Sequence, residues 1–266
     1  MNSETTLITG ASSGSGFELA REFGRHGHSL ILTAPVQSEL ELVARKLQSE
    51  TGAKVQVIAR DLEQPDAARE IYELAQAEAV EILVNNAGLG HLGNFWELPM
   101  DSILSMIRLN IEGLVRRSRL FLPDMVRRKS GRILNTASVA GFEPGPKMAT
   151  YHATKAFVLS LSASLVEELR DTGVSVTALC PGATDTDFLP KADMSDTKLF
   201  QKGHVMASQD VAAEGYEALL RSDPIYVVGG LNKAQFFVRR FMTKTAQARM
   251  ALKMYQKVPA SKQKRH

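Results

Sequence analysis

Tyr151 and Lys155 are two residues with acid–base chemistry, four positions apart at the start of a predicted helix. Residues at that spacing lie on one helix face, so the lysine ammonium comes close to the phenol. A free tyrosine has a pKa of about 10, and proton exchange near neutral pH needs a pKa roughly 3 units lower, about 4 kcal/mol of selective phenolate stabilisation. A neighbouring ammonium supplies much of that stabilisation. Taken alone, the pair also fits an ordinary surface helix.

Ser138 precedes Tyr151 by 13 residues and follows a short apolar run, residues 132–137, that predicts a strand. Open parallel sheets bind their ligands at the carboxyl ends of the strands, which is where Ser138 would stand. A hydroxyl at that place can hydrogen-bond a substrate oxygen and orient it toward Tyr151. The three residues together indicate acid–base chemistry on a substrate oxygen.

A glycine-rich turn joins the first predicted strand to the first predicted helix, with glycines at positions 10, 14 and 16. Gly10 permits a tight turn, while Gly14 and Gly16 let the backbone approach a pyrophosphate and the helix pack on the sheet. The free N–H groups and the dipole of the helix N-terminus favour that anion. A Ser/Gly turn without any ligand is the alternative. The spacing, Gly-x3-Gly-x-Gly, differs from the Gly-x-Gly-x2-Gly of two-domain dehydrogenases.

These residues resemble those of the short-chain dehydrogenase/reductase family, whose cofactor turn is Thr-Gly-x3-Gly-x-Gly and whose active site carries Tyr-x3-Lys. The resemblance covers residues 4–230 and includes Asn85-Asn86-Ala87-Gly88 at the end of a predicted strand. Ser15 departs from the family, which often has Ile or Leu there. The resemblance implies an oxidoreductase that moves a hydride between a nicotinamide cofactor and a carbonyl or secondary alcohol, as a dimer or tetramer.

The resemblance also implies roles for individual residues. Tyr151 is then the general acid/base, and Lys155 lowers the pKa of Tyr151 and holds the ribose hydroxyls. Ser138 positions the substrate oxygen, and Asn110, 22 residues after Gly88, relays protons. The residues implied in cofactor binding are Gly10, Ser12, Ser13, Gly14, Ser15, Gly16, Asp61, Leu62, Asn86, Ala87, Gly88, Tyr151, Lys155, Pro181, Gly182 and Thr184. A solvent-facing Asn110 and a helix-capping Asp61 are the structural alternatives.

The choice between the two nicotinamide cofactors depends on the end of the second predicted strand. An acidic residue there would bind the ribose 2′-hydroxyl of NAD, but Thr33-Ala34-Pro35-Val36 carries none before Glu39. The basic residues that often mark NADP binding in the resembling family are missing too, because position 13 is serine and position 35 is proline. The absence of a carboxylate removes repulsion toward a 2′-phosphate, so the sequence favours NADP(H) over NAD(H).

Short Val/Ile/Leu-rich runs alternate along the chain with longer amphipathic ones, as they do in repeated β-α units. Strands without polar alternation are typical of a parallel sheet covered on both faces. Right-handed crossovers then give an α/β, doubly wound, Rossmann-like fold of about seven strands with helices on both faces. We predict one catalytic domain over residues 1–232 and a basic helical tail over residues 233–266.

Three segments are expected to wall the substrate, namely residues 90–95, 141–148 and the long irregular stretch 183–204. Ligand pockets are largely apolar, and large apolar side chains are frequent in and beside these segments. They are Phe95, Phe142, Met148, Phe188, Leu189, Met194, Leu199, Phe200 and Met206. The sequence therefore predicts an apolar or amphipathic carbonyl or alcohol as substrate. His91 and His204 are expected to be incidental loop residues.

The tail carries 10 Lys/Arg and no Asp/Glu, whereas residues 1–232 carry 22 basic and 29 acidic residues. Apolar residues recur in the tail every four positions, at Val238, Met242, Ala246, Met250 and Met254. A helix docked on the body or on a second subunit explains this pattern, and so does a peripheral helix on an anionic membrane. Nucleic-acid binding is not expected, because no aromatic groove or reading motif accompanies the charge.

Composition excludes several other classes of protein. With 266 residues, 44% hydrophobic and 23% charged, the chain is neither collagen-like nor wholly disordered. Its single cysteine, Cys180, excludes an intrachain disulfide and suits the cytoplasm. We expect no metal site, signal peptide or transmembrane helix. Two other functions stay open: a non-catalytic cofactor-sensing protein, and a scaffold recruited to a membrane by the tail.

Overall fold

The computed structural model describes residues 4–202 and 205–259, and at its centre lies a parallel sheet of seven strands. The described residues form nine strands, seven of which belong to this sheet. They are β1 (Thr5–Thr9), β2 (Ser29–Ala34), β3 (Val55–Ala59), β4 (Val80–Asn85), β5 (Gly131–Thr136), β6 (Val174–Cys180), β7 (Thr184–Asp185), β8 (Met206–Ala207) and β9 (Ile225–Val227). The main sheet has the order β3-β2-β1-β4-β5-β6-β9, while β7 and β8 pair separately. The doubly wound α/β fold predicted from the apolar pattern is confirmed.

Helices connect the strands and cover both faces of the sheet. They are α1 (Gly14–Arg25), α2 (Gln37–Thr51), α3 (Ala67–Ala75), α4 (Met100–Ile107), α5 (Leu114–Arg128), α6 (Ala149–Glu168), α7 (Phe188–Lys191), α8 (Lys198–Lys202), α9 (Ser208–Leu220), α10 (Gly230–Arg239) and α11 (Lys244–Met254). A π-helical turn, Arg108–Gly113, joins α4 to α5, and a 3-10 turn, Val139–Phe142, follows β5.

The sheet is apolar on both faces. Successive side chains of a strand point to opposite sides, so each apolar strand contributes to both faces. Leu7 and Ile8 of β1 are both fully buried, yet they belong to different clusters. Ile8 packs with residues of α1, α2 and α9, and Leu7 packs with residues of α3 and α5. This two-sided burial is the physical reason why the strands read as continuous apolar runs.

The strand order reverses between β1 and β4, and such a reversal opens a crevice at the carboxyl ends of the strands. Thr9, at the end of β1, ties the two strands together. Its Oγ1 donates to the Val84 carbonyl (3.2 Å) and accepts from the N–H groups of Asn86 (2.9 Å) and Ala87 (3.0 Å). The glycine turn and the Asn85–Gly88 segment are therefore held side by side at this crevice.

A buried polar chain runs beneath the same region. Asn85 Nδ2 donates to Ser118 Oγ and to Asn135 Oδ1, and Asn135 Nδ2 donates to Ser162 Oγ. Asn85 Oδ1 accepts from Nε of Arg117, whose side chain is fully buried. Burial lowers the pKa of Arg117 to about 10. These bonds link α5 and α6 to the centre of the sheet and fix the strand ends that border the crevice.

The C-terminal tail differs from the single helix that the apolar repeat from Val238 to Met254 predicts. It forms two helices, α10 and α11, because Thr243 caps a new N-terminus: its Oγ1 accepts from the Ala246 N–H at 3.3 Å. The stripe from Val238 to Met254 is therefore divided between two helices and forms no single face. Residues 260–266 of the tail, like His204, lie outside the described residues.

The described part of the tail packs on the body. Arg239 pairs with Glu143 at 2.7 Å, and Lys257 pairs with Asp193 at 2.8 Å. Tyr255 is buried and hydrogen-bonds the side chain of His152. Among the described residues, no helix is long and apolar enough to cross a membrane.

Candidate active site

A cleft of about 740 Å³ opens at the carboxyl edge of the sheet. Every residue that the sequence implied in cofactor binding lines it, as do Ser138, Tyr151 and Lys155. Of the residues implied in the site, only Asn110 stands behind the lining. The sheet thus brings together residues from position 10 to position 184 in one concave surface.

The glycine turn forms one end of the cleft, and its geometry fits a dinucleotide pyrophosphate. Gly10 has a φ of +66°, which favours glycine, and a Cβ on Gly16 would stand 2.0 Å from the Gly10 carbonyl oxygen. The close packing of α1 on the turn therefore requires both glycines. No side chain caps the N-terminus of α1, and its first turn has no acidic residue. Its backbone N–H groups and dipole suit a phosphate group.

The adenosine end of the cleft lies beside the end of β2. Asp61 lines it from an exposed position and accepts from the Glu63 N–H at 3.1 Å, while Leu62 is buried. Glu39, in the first turn of α2, also lines the cleft. The sequence has no acidic residue between β2 and Glu39, but the turn Pro35–Val36 is short enough to bring Glu39 back to the cleft, so a carboxylate does border this end.

Tyr151 stands in the first turn of α6, and its half-buried side chain lines the cleft wall. Burial raises the pKa of Tyr151 to about 12, and the hydrogen bond with the Ser138 side chain acts in the opposite direction. Ser138 Oγ also donates to the Pro181 carbonyl at 3.3 Å and accepts from the Ala140 N–H at 3.1 Å, which fixes its orientation. A low pKa for Tyr151 is therefore not a property of the chain by itself.

Lys155 is 5% exposed and one helical turn after Tyr151. Its Nζ donates to the Thr136 carbonyl at 2.6 Å and lies 5.8 Å from the centre of the Tyr151 ring. Burial lowers the pKa of Lys155 to about 8. The predicted proximity of the two side chains is correct, but burial counteracts the expected electrostatic effect because it disfavours both charged forms.

Asn110 lies in the π-helical turn between α4 and α5 and is 2% exposed, so it does not face solvent. Its Oδ1 accepts from the Leu89 N–H at 3.0 Å, and its Nδ2 donates to the Leu89 carbonyl at 2.9 Å and to Thr154 Oγ1 at 3.0 Å. These bonds clamp the segment after Gly88 against α6. A π-helical turn often marks a functional site, because it re-aims one side chain.

The opposite end of the cleft is formed by Pro181, Gly182 and Thr184. Thr184 is buried, and its Oγ1 donates to the Gly182 carbonyl at 3.1 Å. A Cβ on Gly182 would stand 2.6 Å from Nδ2 of Asn232 in α10. Only glycine permits this approach of the tail to the segment after β6.

Some of the residues predicted to wall the substrate lie in the cleft, and others do not. Five of the nine predicted apolar residues line the cleft, namely Met148, Phe188, Leu189, Met194 and Leu199. The other four are elsewhere: Phe95 is exposed, Phe142 packs on Phe236, Met206 lies in the main core, and Phe200 packs behind Met148 and Leu189. The alternation of apolar and loop residues did not distinguish these two groups.

Helices α10 and α11 supply lining residues that sequence reasoning missed. They are Leu231, Asn232, Gln235, Arg239, Ala251 and Met254, with Tyr255 just after α11. No motif marks them, because their place depends on how α10 and α11 fold back over the body. The apolar repeat of the tail suggested a helix docked on the body as one explanation, but it indicated none of these positions.

A buried polar group closes the wall beside Tyr151. His152 Nδ1 is 2.7 Å from the Glu143 carbonyl, which can only accept, so Nδ1 carries the proton. Burial lowers the pKa of His152, and the neutral ring then has Nε2 as an acceptor. The Tyr255 hydroxyl, 2.7 Å away, therefore donates to Nε2. Glu143 pairs with Arg239, although burial still raises the pKa of its carboxyl.

Among the described residues, no group of three or more His, Cys, Asp or Glu side chains is arranged to hold a metal ion. Cys180 is fully buried, and burial raises the pKa of its thiol to about 12. It behaves as a small core residue.

A doubly wound sheet with a glycine turn at its switch point and a tyrosine and lysine in the same cleft defines a dinucleotide-binding oxidoreductase. The profile of the short chain dehydrogenase family matches residues 4–196. This chain belongs to the short-chain dehydrogenase/reductase family, and it is an NAD(P)-dependent oxidoreductase acting on CH–OH and C=O groups.

Individual relatives agree with this assignment. The chain is 34% identical, over 74% of its length and 86% of the relative's, to an uncharacterized oxidoreductase of Staphylococcus saprophyticus. It is similar to a short-chain dehydrogenase from Sphingobium yanoikuyae solved in complex with NADPH, with 32% identity, a TM-score of 0.80 and coverage of 91% and 97% of the two chains. It is also similar to a bulky-bulky ketone specific alcohol dehydrogenase from Comamonas testosteroni, with 31% identity, a TM-score of 0.76 and coverage of 95% and 100%.

Proposed function

We propose that the protein reduces an amphipathic ketone or aldehyde with Tyr151 as the general acid. The observation that carries the proposal is the placement of the Tyr151 phenol, half-buried beside Ser138 in the same cleft as the glycine turn. When bound, a reduced nicotinamide supplies the hydride to the substrate carbon. The chain's own residues orient the carbonyl, exclude water and supply the proton.

Ser138 and Tyr151 hold the substrate oxygen. Each hydroxyl can donate to it, Ser138 by turning its single O–H from the Pro181 carbonyl to the substrate oxygen, which holds that oxygen within reach of the phenol. With a pKa of about 12, Tyr151 is fully protonated at neutral pH and can act as an acid. As the O–H proton leaves Tyr151, the Lys155 ammonium and the Ser138 hydroxyl stabilise the phenolate that forms. Reduction is the proposed working direction because NADPH is the proposed cofactor.

Asn110 is a positioning residue in this proposal. Its amide fixes both backbone groups of Leu89 and the Thr154 hydroxyl, so it holds the cleft wall opposite Lys155. The proton relay past Lys155 that the family resemblance implies for Asn110 stays a prediction.

We propose NADP(H) as the preferred cofactor. No acidic side chain directly follows β2 at Pro35 or Val36, and the similar Sphingobium enzyme was solved with NADPH. Glu39 acts against a 2′-phosphate here, because its carboxylate borders the cleft, which Asp61 and Glu63 also line. Titration of the protein with NADPH and with NADH, followed by tyrosine fluorescence quenching or calorimetry, measures the preference. Tighter binding of NADH would refute it.

The substrate proposal follows from the cleft lining. Met148, Phe188, Leu189 and Met194 give it an apolar wall, whereas Glu143, Arg239 and Tyr255 give it a polar edge. A carbonyl compound with a bulky apolar body and a polar end matches both, and the similar Comamonas enzyme is described as specific for bulky-bulky ketones. The proposal includes a cytoplasmic location and assembly as a homo-dimer or tetramer. Analytical ultracentrifugation of the purified protein measures the oligomeric state.

The test is NAD(P)H consumption over a panel of carbonyl compounds, with Tyr151→Phe against wild type. We expect kcat to fall by roughly 10²-fold to 10⁴-fold, because the phenyl ring keeps the packing but has no proton to give. Cofactor binding should be retained. Tyr72→Phe is a matched control, since that hydroxyl bonds Asp124 away from the cleft.

Three outcomes would contradict the proposal. Unchanged turnover in Tyr151→Phe would remove the proposed acid. Cofactor binding without turnover of any carbonyl would favour the cofactor-sensing alternative, and equal losses in Tyr72→Phe would indicate a general structural effect.

A further inference from the structure

Helix α10 stands at the edge of the cleft with two different faces. Asn232, Gln235 and Arg239 line the cleft, and none of the residues of α10 is buried. The outward side of the helix is apolar: Phe237 and Val238 are each 61% exposed, and Phe241, just after the helix, is 79% exposed. A soluble enzyme has no need for three large exposed apolar side chains in five positions.

These side chains form one continuous surface. At 3.6 residues per turn, Leu231, Ala234 and Val238 follow one another along one row, and Phe237 lies beside them. The rings of Phe237 and Phe241 meet edge to face, with their centres 5.5 Å apart. The outer face of α10 is defined here as Leu231, Ala234, Phe237, Val238 and Phe241. It differs from the stripe Val238–Met254 that the sequence suggested.

Positive charge flanks the outer face. In helical projection Lys233 and Arg240 fall beside the apolar row, and Lys244 follows at the start of α11. Within residues 4–202 and 205–259, none of these three cations forms a salt bridge, and the sequence has no acidic residue after Asp223. Lys233 donates to the Tyr226 hydroxyl at 3.1 Å, and Lys244 donates to the Phe142 carbonyl at 2.9 Å and acts to lower the pKa of the Glu143 carboxyl. An exposed aromatic surface flanked by lysine and arginine is complementary to anionic lipid headgroups over an acyl layer.

We propose that the outer face of α10 docks on an anionic lipid bilayer and that the adjoining cleft takes its carbonyl substrate from that bilayer. The uptake of substrate from the bilayer rests on the proposed function, whereas the docking on the bilayer does not. The same short helix borders the cleft and carries the apolar surface, so docking brings the cleft entrance to the level of the headgroups. A substrate with a long apolar body then reaches Tyr151 without crossing water.

Vesicle binding tests the first half. Full-length wild type is compared with Phe237→Ser/Phe241→Ser and with Arg240→Glu, on vesicles of phosphatidylcholine with phosphatidylserine and on phosphatidylcholine alone. Leu42→Ser is the matched control, because Leu42 is 62% exposed on α2, which lies outside the tail. We expect the wild type and the control to sediment with the anionic vesicles, less at high salt, and both tail variants to bind at least about tenfold more weakly.

Kinetics test the second half. In the presence of anionic vesicles, the double serine variant should lose at least about tenfold in kcat/KM for a long-chain ketone dissolved in the lipid. It should keep the wild-type value for a short water-soluble ketone, because neither phenylalanine lines the cleft. Equal kinetics of wild type and variant on the lipid-dissolved ketone would overturn the delivery of substrate from the bilayer.

The outcomes separate the two proposals. Equal vesicle binding by wild type and both tail variants would overturn docking. Docking would also be overturned if no form bound lipid and the tail variants differed from wild type only in oligomeric state. That result would assign the outer face of α10 to a second copy of the chain. If no carbonyl is reduced, the proposed function fails, while the sedimentation result still decides docking. Arg240→Glu leaves every apolar contact in place, so it remains informative if the serine variant folds poorly.

Discussion

Burial acts on Tyr151 and Lys155 in the same sense, because it favours the uncharged form of each. The pKa of Tyr151 rises to about 12 and that of Lys155 falls to about 8. The phenol therefore keeps its proton at neutral pH, but in the chain alone it is a weaker acid than a free tyrosine. The lysine is close to losing its charge just above neutral pH, which limits how far it can stabilise a phenolate as pH rises.

The depressed pKa of Lys155 predicts a pH dependence of stability. Between about pH 8 and the unfolded value of 10.5, the unfolded chain holds a proton on this lysine that the folded chain has lost. The free energy of unfolding contributed by Lys155 therefore rises with pH through this window. The measurement is urea unfolding of wild type and Lys155→Met across that range.

We expect the wild type to gain stability relative to Lys155→Met as the pH increases. The methionine variant keeps the burial of the other titrating groups nearby, Tyr151 and Cys180, so their effects cancel in the difference. A stability difference that stays constant over the window would mean that Lys155 is not desolvated as described.

At the scale of elements, the start of α6 is the point where the catalytic residues and the tail meet. His152 follows Tyr151 and accepts from the hydroxyl of Tyr255, the residue that ends α11. This hydrogen bond, together with the pair Glu143–Arg239, fastens the two tail helices to the catalytic helix and its preceding loop. The tail is thus part of the cleft wall, and removing it would open the cleft.

Tyr255→Phe tests this connection. The substitution leaves the buried Nε2 of His152 without a donor, so we expect a loss of about 1–3 kcal/mol in the free energy of unfolding, measured by urea denaturation. Tyr72→Phe again serves as control, because its partner Asp124 can turn to water and the loss should be under about 1 kcal/mol. Equal effects of the two substitutions would mean that α11 does not depend on this bond.

The regular elements were predictable because their signals are local. The strand ends, the glycine turn and the pair Tyr151/Lys155 follow from periodicity and spacing within a few residues of each other. The π-helical turn at Asn110 could not be distinguished from ordinary helix in the sequence, since one extra residue per turn leaves no mark in the apolar pattern. The break between α10 and α11 had a signal in Thr243, an N-cap residue, which the four-residue repeat concealed.

At the scale of the whole molecule, the cleft's far wall could not be predicted from sequence. Asn232, Arg239 and Tyr255 join the site through contacts with Gly182, Glu143 and His152, some 50 to 100 positions earlier in the chain. Such contacts depend on tertiary packing and carry no local pattern. The place of Glu39 at the cleft could not be predicted for a similar reason: distance along the chain after β2 is a poor guide once the chain turns back into α2.

The charge distribution of the molecule bears on both the packing of the tail and the proposed docking surface. A body with excess acid and a tail with only basic residues attract each other, and the pairs Arg239–Glu143 and Lys257–Asp193 show that part of the attraction is used within the chain. Lys233 and Arg240 stand beside the outer face of α10, and Lys244 follows at the start of α11. One short segment therefore both completes the cleft and carries the proposed docking surface.

The account depends on whether positive charge brought by a bound nicotinamide dinucleotide makes the Tyr151 phenol acidic. Ultraviolet difference absorption of tyrosinate, wild type minus Tyr151→Phe, measures this directly as a function of pH with and without NADP⁺. We predict no signal from Tyr151 without NADP⁺ until the pH approaches about 12, and a midpoint lower by roughly 2 pH units or more with NADP⁺ bound. An unchanged midpoint in the saturated complex would contradict the assignment of Tyr151 as the group that exchanges the proton.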